Sequence, residues 1–151
     1  MLELATKADW PDVCRMSVQI HDLHAGWRPD IYFSTVTPYP ETAFEQNILD
    51  RMVYVAKLQE TVVGYVVLSV QRKEGPGVHP KKIMRVDSIC VDETIRGHGV
   101  GRAMMEDVRA LAGAFGCNGI NLSVHPENDD AVVFYQKCGF TIRTINMEMN
   151  F

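Results

Sequence analysis

The chain has 151 residues, a length that suits one domain with a buried core and no disulfides or metals to hold it together. Hydrophobic residues make up 46% and charged residues 23%, which excludes a disordered or fibrous protein. The formal net charge of -4 lacks the basic surplus that binding to a phosphate backbone needs, so nucleic acid is excluded as the main partner. We predict a single globular domain over residues 1–151.

The cysteines point to a reducing compartment. Cys14, Cys90, Cys117 and Cys138 are far apart and include no C-x-x-C pair, so they signal neither a disulfide framework nor a zinc site. The sequence opens without a basic stretch followed by an apolar one, and no run approaches 18 apolar residues. We therefore expect a cytoplasmic protein that neither is secreted nor binds or spans a membrane.

The first elements are a short strand and a helix. Leu2 and Leu4 alternate with polar neighbours and predict the strand. Asp9 stands at an N-cap position, and Pro11 falls in the first turn of the helix that follows. Apolar residues at steps of three and four predict that this helix continues to about Gly26.

The middle of the chain predicts a loop, a helix and a hairpin. Residues 27–40 contain three prolines and several aromatic rings and predict a shaped loop, and residues 44–49 predict a short helix. Residues 52–58 and 61–70 are rich in β-branched side chains and predict two antiparallel strands. Residues 71–80, with two glycines and two prolines, predict the most exposed loop of the chain.

The second half alternates strands and helices. Its predicted elements are a strand at 82–91, an amphipathic helix from Val100 to Gly116, a strand at 120–124, a helix from Asn128 to Gly139 and a last strand at 140–151. The order is strand, two helices, three strands, helix, strand, helix and strand. It indicates an α+β fold with a mixed, mostly antiparallel sheet.

The most informative stretch follows the strand at 82–91. It reads Arg96, Gly97, His98, Gly99, Val100, Gly101 and Arg102. Glycines at alternate positions let backbone N–H groups crowd together, and the next helix adds unpaired amides and the positive end of its dipole. With two arginines beside them, these groups predict a site for a diphosphate.

Three other interpretations fit this stretch less well. A dinucleotide fingerprint starting at Gly97 would need a glycine where Arg102 stands, and a P-loop would need Gly-Lys-Ser/Thr, which is absent. A plain strand-to-helix turn needs only one or two glycines and no flanking arginines, so it explains less of the pattern.

Several motifs together resemble the GNAT superfamily of acetyl-CoA-dependent N-acetyltransferases. Arg96, Gly99 and Gly101 match the superfamily's pyrophosphate loop, Arg/Gln-x-x-Gly-x-Gly/Ala. Residues 86–92 look like the strand before that loop, and residues 121–128 look like the strand after the long helix. Residues 134–140 are similar to the closing helix with its Gly-Phe turn, and residues 147–149 to the end strand. The resemblance is strong over about the last 70 residues.

The resemblance implies a fold and a cofactor site. We expect helices on both faces of the sheet and a splay between the fourth and fifth strands, where the pantetheine of acetyl-CoA would lie like an added strand. Backbone groups of Ile89, Cys90 and Val91 would bind pantetheine and polarise the thioester carbonyl. Cys90 itself is interpreted as a small packed residue rather than a catalytic thiol. Asn128 would cap its helix and contact the cofactor.

The resemblance also suggests catalytic roles. Tyr135 lies two helical turns after Asn128 and matches the tyrosine that protonates the leaving thiolate in the family. The alternative interpretation is that Tyr135 is an aromatic residue of the core. Many relatives have a glutamate as base where this chain has Ser123. Asp87, two residues before Ile89, is a replacement candidate, with a solvated or salt-bridged aspartate as the alternative.

The remaining histidines gave weaker signals. His125 is a second candidate for the base, although a histidine at a strand end before proline is more often structural. His21 and His24 could share a helix face with Trp27 near the acceptor site. No third ligand is suggested beside them, so no metal is predicted.

The function that follows is direct transfer of acetyl from acetyl-CoA to a primary amine of a small molecule or a protein N-terminus. A non-catalytic acyl-CoA-binding module is the main alternative, because Ser123 stands at a common glutamate position. A plain nucleotide-phosphate binder is a third. The expected partner is a small amine or peptide acceptor, and a homodimer is left open.

Overall fold

The computed structural model describes all 151 residues and contains five strands and four helices. In chain order they are β1 Leu2–Leu4, α1 Trp10–Trp27, α2 Glu41–Leu49, β2 Val53–Leu58, β3 Thr61–Gly75, β4 Val78–Val91, α3 Val100–Ala114, β5 Gly119–Asn121 and α4 Asp129–Lys137. Two short 3-10 turns, Lys7–Asp9 and Glu93–Ile95, precede α1 and α3.

The strands form one sheet in the order β1-β2-β3-β4-β5. The first four strands pair antiparallel, whereas β4 and β5 pair parallel because α3 connects them. The sheet is therefore mixed and mostly antiparallel, as the sequence predicted.

Two apolar clusters, one on each face of the sheet, hold the layers together. We call them the α1-side cluster and the α3-side cluster, after the helix that packs on each face. On one face, α1 and α2 contribute Val13, Met16 and Phe44, which pack against β2 and β3. On the other face, α3 contributes Val100, Met104 and Val108, and the rings of α4 lie at the edge of that cluster. The predicted α+β fold with helices on both faces is confirmed.

The β3–β4 hairpin is longer than predicted. Residues 71–80 were expected to be a loop, but β3 runs to Gly75 and β4 begins at Val78, with Arg72 paired to Lys82. Gly75 and Gly77 both have positive φ, so they reverse the chain in a tight turn. This extension was missed because it is exposed and polar and lacks apolar alternation.

Two strand predictions in the second half were also wrong: one strand is shorter than predicted and the other is absent. β5 ends at Asn121 rather than at residue 124, so Ser123 and His125 follow the strand instead of lying in or at the end of it. Residues 140–151 form no strand, although their apolar residues alternate, because no neighbouring strand pairs with their backbone. The predicted helix N-cap at Asn128 is confirmed, since its Oδ1 accepts from the N–H of Ala131 at 3.2 Å.

Candidate active site

The site begins where β4 and β5 part. The two strands pair only from Ile83 to Arg85, so the edge of β4 that faces β5 has no strand partner from Val86 onward. The pairing of β4 with β3 also shifts at Asp87, because Val86 pairs with Leu68 and Ser88 with Val67. A bulge of this kind bends a strand away from its regular line. The predicted splay between the fourth and fifth strands is present.

Beyond β4, the glycine-rich stretch forms the start of α3. Gly97 and Gly99 have φ of +83° and +82°, and a Cβ built on either would meet no atom within 4 Å. The first hydrogen bond of α3 runs from the N–H of Ala103 to the carbonyl of Gly99 at 3.1 Å. The amides of residues 100–102 therefore have no partner inside the helix, and no other backbone group of the chain accepts from them. We call residues 96–102 the cradle.

Gly101 has a different role from the other two cradle glycines. A Cβ at this position would lie 3.3 Å from Cζ of Phe134 and 3.6 Å from Cγ2 of Val91. The missing side chain thus lets α4 and the end of β4 approach the first turn of α3.

The charged residues of the cradle differ in how many partners hold their side chains. The Nε of Arg96 donates to the carbonyl of Val91 at 3.0 Å, and its Nη2 donates to Oε1 of Gln19 at 3.3 Å. Arg102 instead turns along α3 toward Glu106 at 3.7 Å and is 75% exposed. Nδ1 of His98 lies 3.0 Å from the carbonyl of Arg96. Only Arg96 is fixed beside the open amides.

The turn before the cradle is anchored by Asp92. Its Oδ1 accepts from the N–H and the hydroxyl of Thr94, and its Oδ2 lies 2.6 Å from Nη1 of Arg15 on α1. Burial alone would raise the pKa of Asp92, but these hydrogen bonds and the arginine outweigh it and lower the pKa to about 2. The cradle is therefore tied to α1 by a carboxylate that is ionised at neutral pH.

Of the strand residues that lead to the cradle, Cys90 is buried and its two neighbours are partly buried. Cys90 is 4% exposed and packs with the α1-side cluster, whereas Ile89 and Val91 pack against the α3-side cluster. Burial raises the pKa of the Cys90 thiol to about 11. The thiol is thus protonated at neutral pH, which fits a packed residue and not a nucleophile.

Tyr135 projects from α4 among aromatic rings. Its ring meets Phe134 edge-on with centroids 5.1 Å apart and meets Phe140 at 5.7 Å. Burial raises the pKa of Tyr135 to about 12, with smaller contributions from the thiols of Cys138 and Cys90. The phenol keeps its proton at neutral pH and makes no hydrogen bond within the chain, so it is free to donate one.

Asp87 lies in a short polar chain across the gap. Its Oδ1 accepts from Nε of Arg85 at 3.1 Å, and Nη2 of Arg85 donates to Oγ of Ser123 at 3.2 Å. The Asp87 side chain is 38% exposed. Arg85 therefore links the candidate base to the residue that stands where relatives often have glutamate.

Aromatic rings meet between the end of α1 and the segment that follows β5. Trp27, at the end of α1, stacks on His125 with centroids 5.1 Å apart, and His24 packs against both Trp27 and Tyr32. Burial lowers the pKa of His24, and the neighbouring His125 and His21 lower it further. We call these five residues, including His21, the aromatic cluster. No group of three His, Cys, Asp or Glu side chains in the structure is placed to hold a metal ion.

The sequence analysis missed Arg85, Gln19 and the contact of Trp27 with His125. Arg85 stands two residues before Asp87, a spacing at which strand side chains point the same way, so the alternation could have indicated it. Gln19 and Trp27 reach partners about 75 to 100 residues away, and no local pattern signals such contacts.

Comparisons with known proteins agree with this arrangement. The family model described as "Acetyltransferase (GNAT) family" matches residues 19–140. The chain belongs to the GNAT acetyltransferase family. A GNAT relative, the peptidyl-lysine N-acetyltransferase YjaB of Escherichia coli, is 31% identical over 130 residues, which cover 85% of this chain and 71% of YjaB.

Other relatives extend the comparison. The ML0378 protein of Mycobacterium leprae is 31% identical over 72% of this chain, but the matched stretch spans only 29% of that protein. A solved mutant of the BH1408 protein of Bacillus halodurans is 28% identical and superposes with a TM-score of 0.95 over 100% of this chain and 99% of its own. That superposition covers the whole of this chain, whereas the family model matches residues 19–140. No helix of the structure is long and apolar enough to cross a membrane.

Proposed function

We propose that this GNAT domain transfers acetyl from acetyl-CoA directly to a primary amine of a small molecule or peptide. The observation that carries the proposal is the set of unpaired amides at the start of α3, placed at the end of a bulged strand that has parted from its neighbour. The amides suit a diphosphate, and the unpaired edge of β4 suits a chain of amides such as pantetheine.

The residues present fit acetyl-CoA. The open space at Gly97 and Gly99 leaves the amides accessible, and Arg96 supplies a fixed positive charge. The other cradle residues, the backbone of residues 89–91 and Asn128 complete the proposed binding set. When bound, acetyl-CoA supplies an acetyl group activated as a thioester.

Proton movements are assigned to two residues of the chain. Tyr135 holds a proton at neutral pH and has no competing acceptor, so it is suited to donate to a departing thiolate. Asp87 is suited to accept a proton from the incoming amine, directly or through water, because an amine with a pKa near 10 is mostly protonated at pH 7. Arg85 holds the carboxylate in place across from Ser123.

The acceptor is proposed to bind at the aromatic cluster. Trp27, Tyr32 and His125 offer flat apolar faces with polar edges, the surface on which a cationic or extended amine packs well. His125, predicted from the sequence as the second candidate for the base, stacks on Trp27 in this cluster. His24 is a third candidate, since its lowered pKa favours the neutral ring that can accept a proton. A lysine side chain is one acceptor to test, because the relative YjaB is named a peptidyl-lysine N-acetyltransferase.

The test is an assay of free thiol release from acetyl-CoA with a panel of amines that includes a lysine peptide and an α-amino peptide. Acetyl-CoA should also raise the free energy of unfolding, by about 2.7 kcal/mol at a hundredfold excess over its Kd. Stabilisation without thiol release for any amine would favour the non-catalytic acyl-CoA-binding module. No stabilisation at all would count against both.

A further inference from the structure

The outer half of the β3–β4 hairpin carries a patch of positive charge. Arg72 pairs with Lys82 across the hairpin and Lys73 pairs with Lys81, so like charges stand opposite each other in two successive pairs. Cross-strand pairs of like charge destabilise a hairpin. Glu74 is the one carboxylate between residues 71 and 82, and it forms no ion pair with these cations. A negatively charged partner would therefore stabilise this part of the hairpin.

The hairpin cations differ from most other basic side chains of the chain. Although the formal net charge is -4, neither they nor Arg143 lie within ion-pair distance of a carboxylate. Lys82 is held only by a backbone carbonyl, that of Phe115. Elsewhere, most basic side chains have a carboxylate partner: Lys7, Arg15, Arg28, Lys57, Arg85 and Arg102. The acidic excess of the chain thus leaves this one region uncompensated.

Three of the unpaired cations line a groove of about 510 Å³, which we call the basic groove. They are Lys73, Lys81 and Arg143, and Ile83 gives the groove an apolar wall. The Oδ1 of Asn121, also in the lining, is buried and has no donor. The backbone N–H of a peptide would satisfy that oxygen, whereas a phosphodiester offers only acceptors. The lining therefore suits a peptide with acidic side chains better than it suits a nucleic acid or a lipid headgroup.

The basic groove lies on the same face of the sheet as the polar chain at the candidate site. Lys81, Ile83 and Arg85 alternate along β4, so their side chains point to one face. It is the face opposite the α3-side cluster, which contains Met84. Arg85 in turn holds the Asp87 carboxylate. At about 3.3 Å per residue, Lys81 lies roughly 20 Å from Asp87 along the strand.

The chain gives a second measure of the distance between the basic groove and the acceptor end. Arg143 lines the groove, and Glu148, at position 148, contacts Arg28 at 2.5 Å. Arg28 directly follows Trp27 of the aromatic cluster. The backbone between positions 143 and 148 can reach about 18 Å at most. An extended peptide in the groove therefore lies within a few residues of both candidate acceptor positions, Asp87 and the aromatic cluster.

We propose that the acceptor is an extended peptide or protein segment whose acidic side chains bind in the basic groove while its amine lies at Asp87 and the aromatic cluster. The inference rests on the proposed acetyl transfer and names the substrate class of that site. A span of roughly 20 Å places the acidic side chains about five to six residues from the acetylated amine. Acidic flanking residues are favoured and basic ones are disfavoured, because the groove cations attract the first and repel the second.

The first experiment compares peptides that differ only in the charge that would reach the groove. Each peptide has a blocked N-terminus and a single lysine, with a run of glutamates or of glutamines centred about five residues from it, before the lysine in one pair and after it in another. In one of the two pairs, kcat/KM for thiol release should be about fivefold higher for the glutamate peptide at low salt, the effect of two or three exposed ion pairs. The difference should shrink at about 0.5 M salt.

Charge-reversed chains assign this preference to the groove. Lys73→Glu/Lys81→Glu replaces one like-charge pair by another, so the hairpin should fold as before, as checked by circular dichroism. It should lose the preference for the glutamate peptide and keep the acetyl-CoA affinity and the kcat for the glutamine peptide. Arg109→Glu/Lys137→Glu makes the same change of charge at two exposed cations outside the groove and should keep the preference. A Lys73→Glu/Lys81→Glu chain that still prefers glutamate would refute the role of the groove.

Direct binding separates the failure of this inference from that of the proposed transfer. The glutamate peptide is titrated against the parent by fluorescence anisotropy, with a single-stranded oligonucleotide and phosphatidylserine vesicles as rival anions. Equal thiol release from glutamate and glutamine peptides would overturn the inference and leave the transfer intact. If the glutamate peptide binds through the groove but no peptide releases thiol, the proposed transfer is wrong, and with it the groove as an acceptor site. Displacement of the peptide by lower concentrations of oligonucleotide or vesicles would reassign the groove to another anion.

Discussion

The cradle is made mainly of backbone atoms, whereas the proposed acceptor end of the site is made mainly of side chains. At the cradle, the proposed binding groups are backbone amides next to Gly97 and Gly99, and the side chains mostly anchor the turn. At the acceptor end, rings of Trp27 and His125 meet from distant parts of the chain. A site made of backbone atoms requires one local backbone conformation. A site made of side chains requires only that the fold bring those side chains together. The first is therefore expected to fail on a single added Cβ, and the second to tolerate conservative change.

The largest expected effect is at the cradle. Gly99→Val puts a branched side chain at φ +82°, which L residues rarely adopt, and crowds the amides that we propose bind the diphosphate. Acetyl-CoA binding should fall by at least about 100-fold, as two lost charge-assisted hydrogen bonds imply. Isothermal titration measures the change.

A matched control exists in the β3–β4 hairpin. Gly77 also has positive φ, +72°, and open space around its Cβ position. Gly77→Val should cost similar folding stability and leave acetyl-CoA affinity unchanged. Equal loss of affinity in both variants would show that the cradle glycines act through folding and not through phosphate approach.

The next prediction concerns turnover and not the affinity for acetyl-CoA. Tyr135→Phe keeps the edge-on ring packing with Phe134 and Phe140 but removes the hydroxyl. Turnover should fall about 10²-fold while acetyl-CoA affinity persists, since only the proton donor is lost. Steady-state rates and acetyl-CoA titrations on Tyr135→Phe test this prediction. Tyr54→Phe, in the α3-side cluster, is the control. A variant as fast as the parent would remove Tyr135 from the mechanism.

The features that the sequence predicted are local ones, and those that it did not predict depend on contacts between distant residues. The cradle, the helix N-cap at Asn128 and the α3 stripe depend on residues close in sequence, and the local pattern identified them. Arg96 binding to Gln19 and Trp27 stacking on His125 depend on how α1 lies over the sheet, which no local pattern encodes. The strand expected at residues 140–151 shows the converse. Its apolar residues do alternate, but a strand forms only where a partner strand is present.

A third prediction tests how the cradle is anchored. The pKa of Asp92 is about 2 in the folded chain and about 3.8 when unfolded, so its stabilising contribution is complete above pH 4 and is lost as pH falls through 2. Asp92→Asn should lower the free energy of unfolding at pH 7 by about 2 kcal/mol. Urea unfolding of both chains at pH 7 and pH 2.5 measures this.

The same experiment has an internal check. The difference between parent and Asp92→Asn should shrink at pH 2.5, because the parent carboxylate is then partly protonated. Asp50→Asn, which changes an exposed carboxylate at the end of α2, should alter stability little at either pH. A constant difference between parent and Asp92→Asn at both pH values would mean that the side chain contributes by packing and not by charge.

The smallest expected effect is at the acceptor end, where Asp87 and His24 compete for the role of base. If Asp87 accepts the proton of the amine, Asp87→Asn should lower the rate roughly tenfold at pH 7, less than usual for general base catalysis because Arg85 already occupies the carboxylate. The deficit should shrink as pH approaches 10, since the amine then loses its proton without help. Steady-state rates from pH 6 to 10 with Glu74→Gln as a surface control provide the profile. If Asp87→Asn loses the same factor at every pH while His24→Gln shifts the acid limb, Asp87 positions Arg85 and Ser123, and the proton goes to the aromatic cluster.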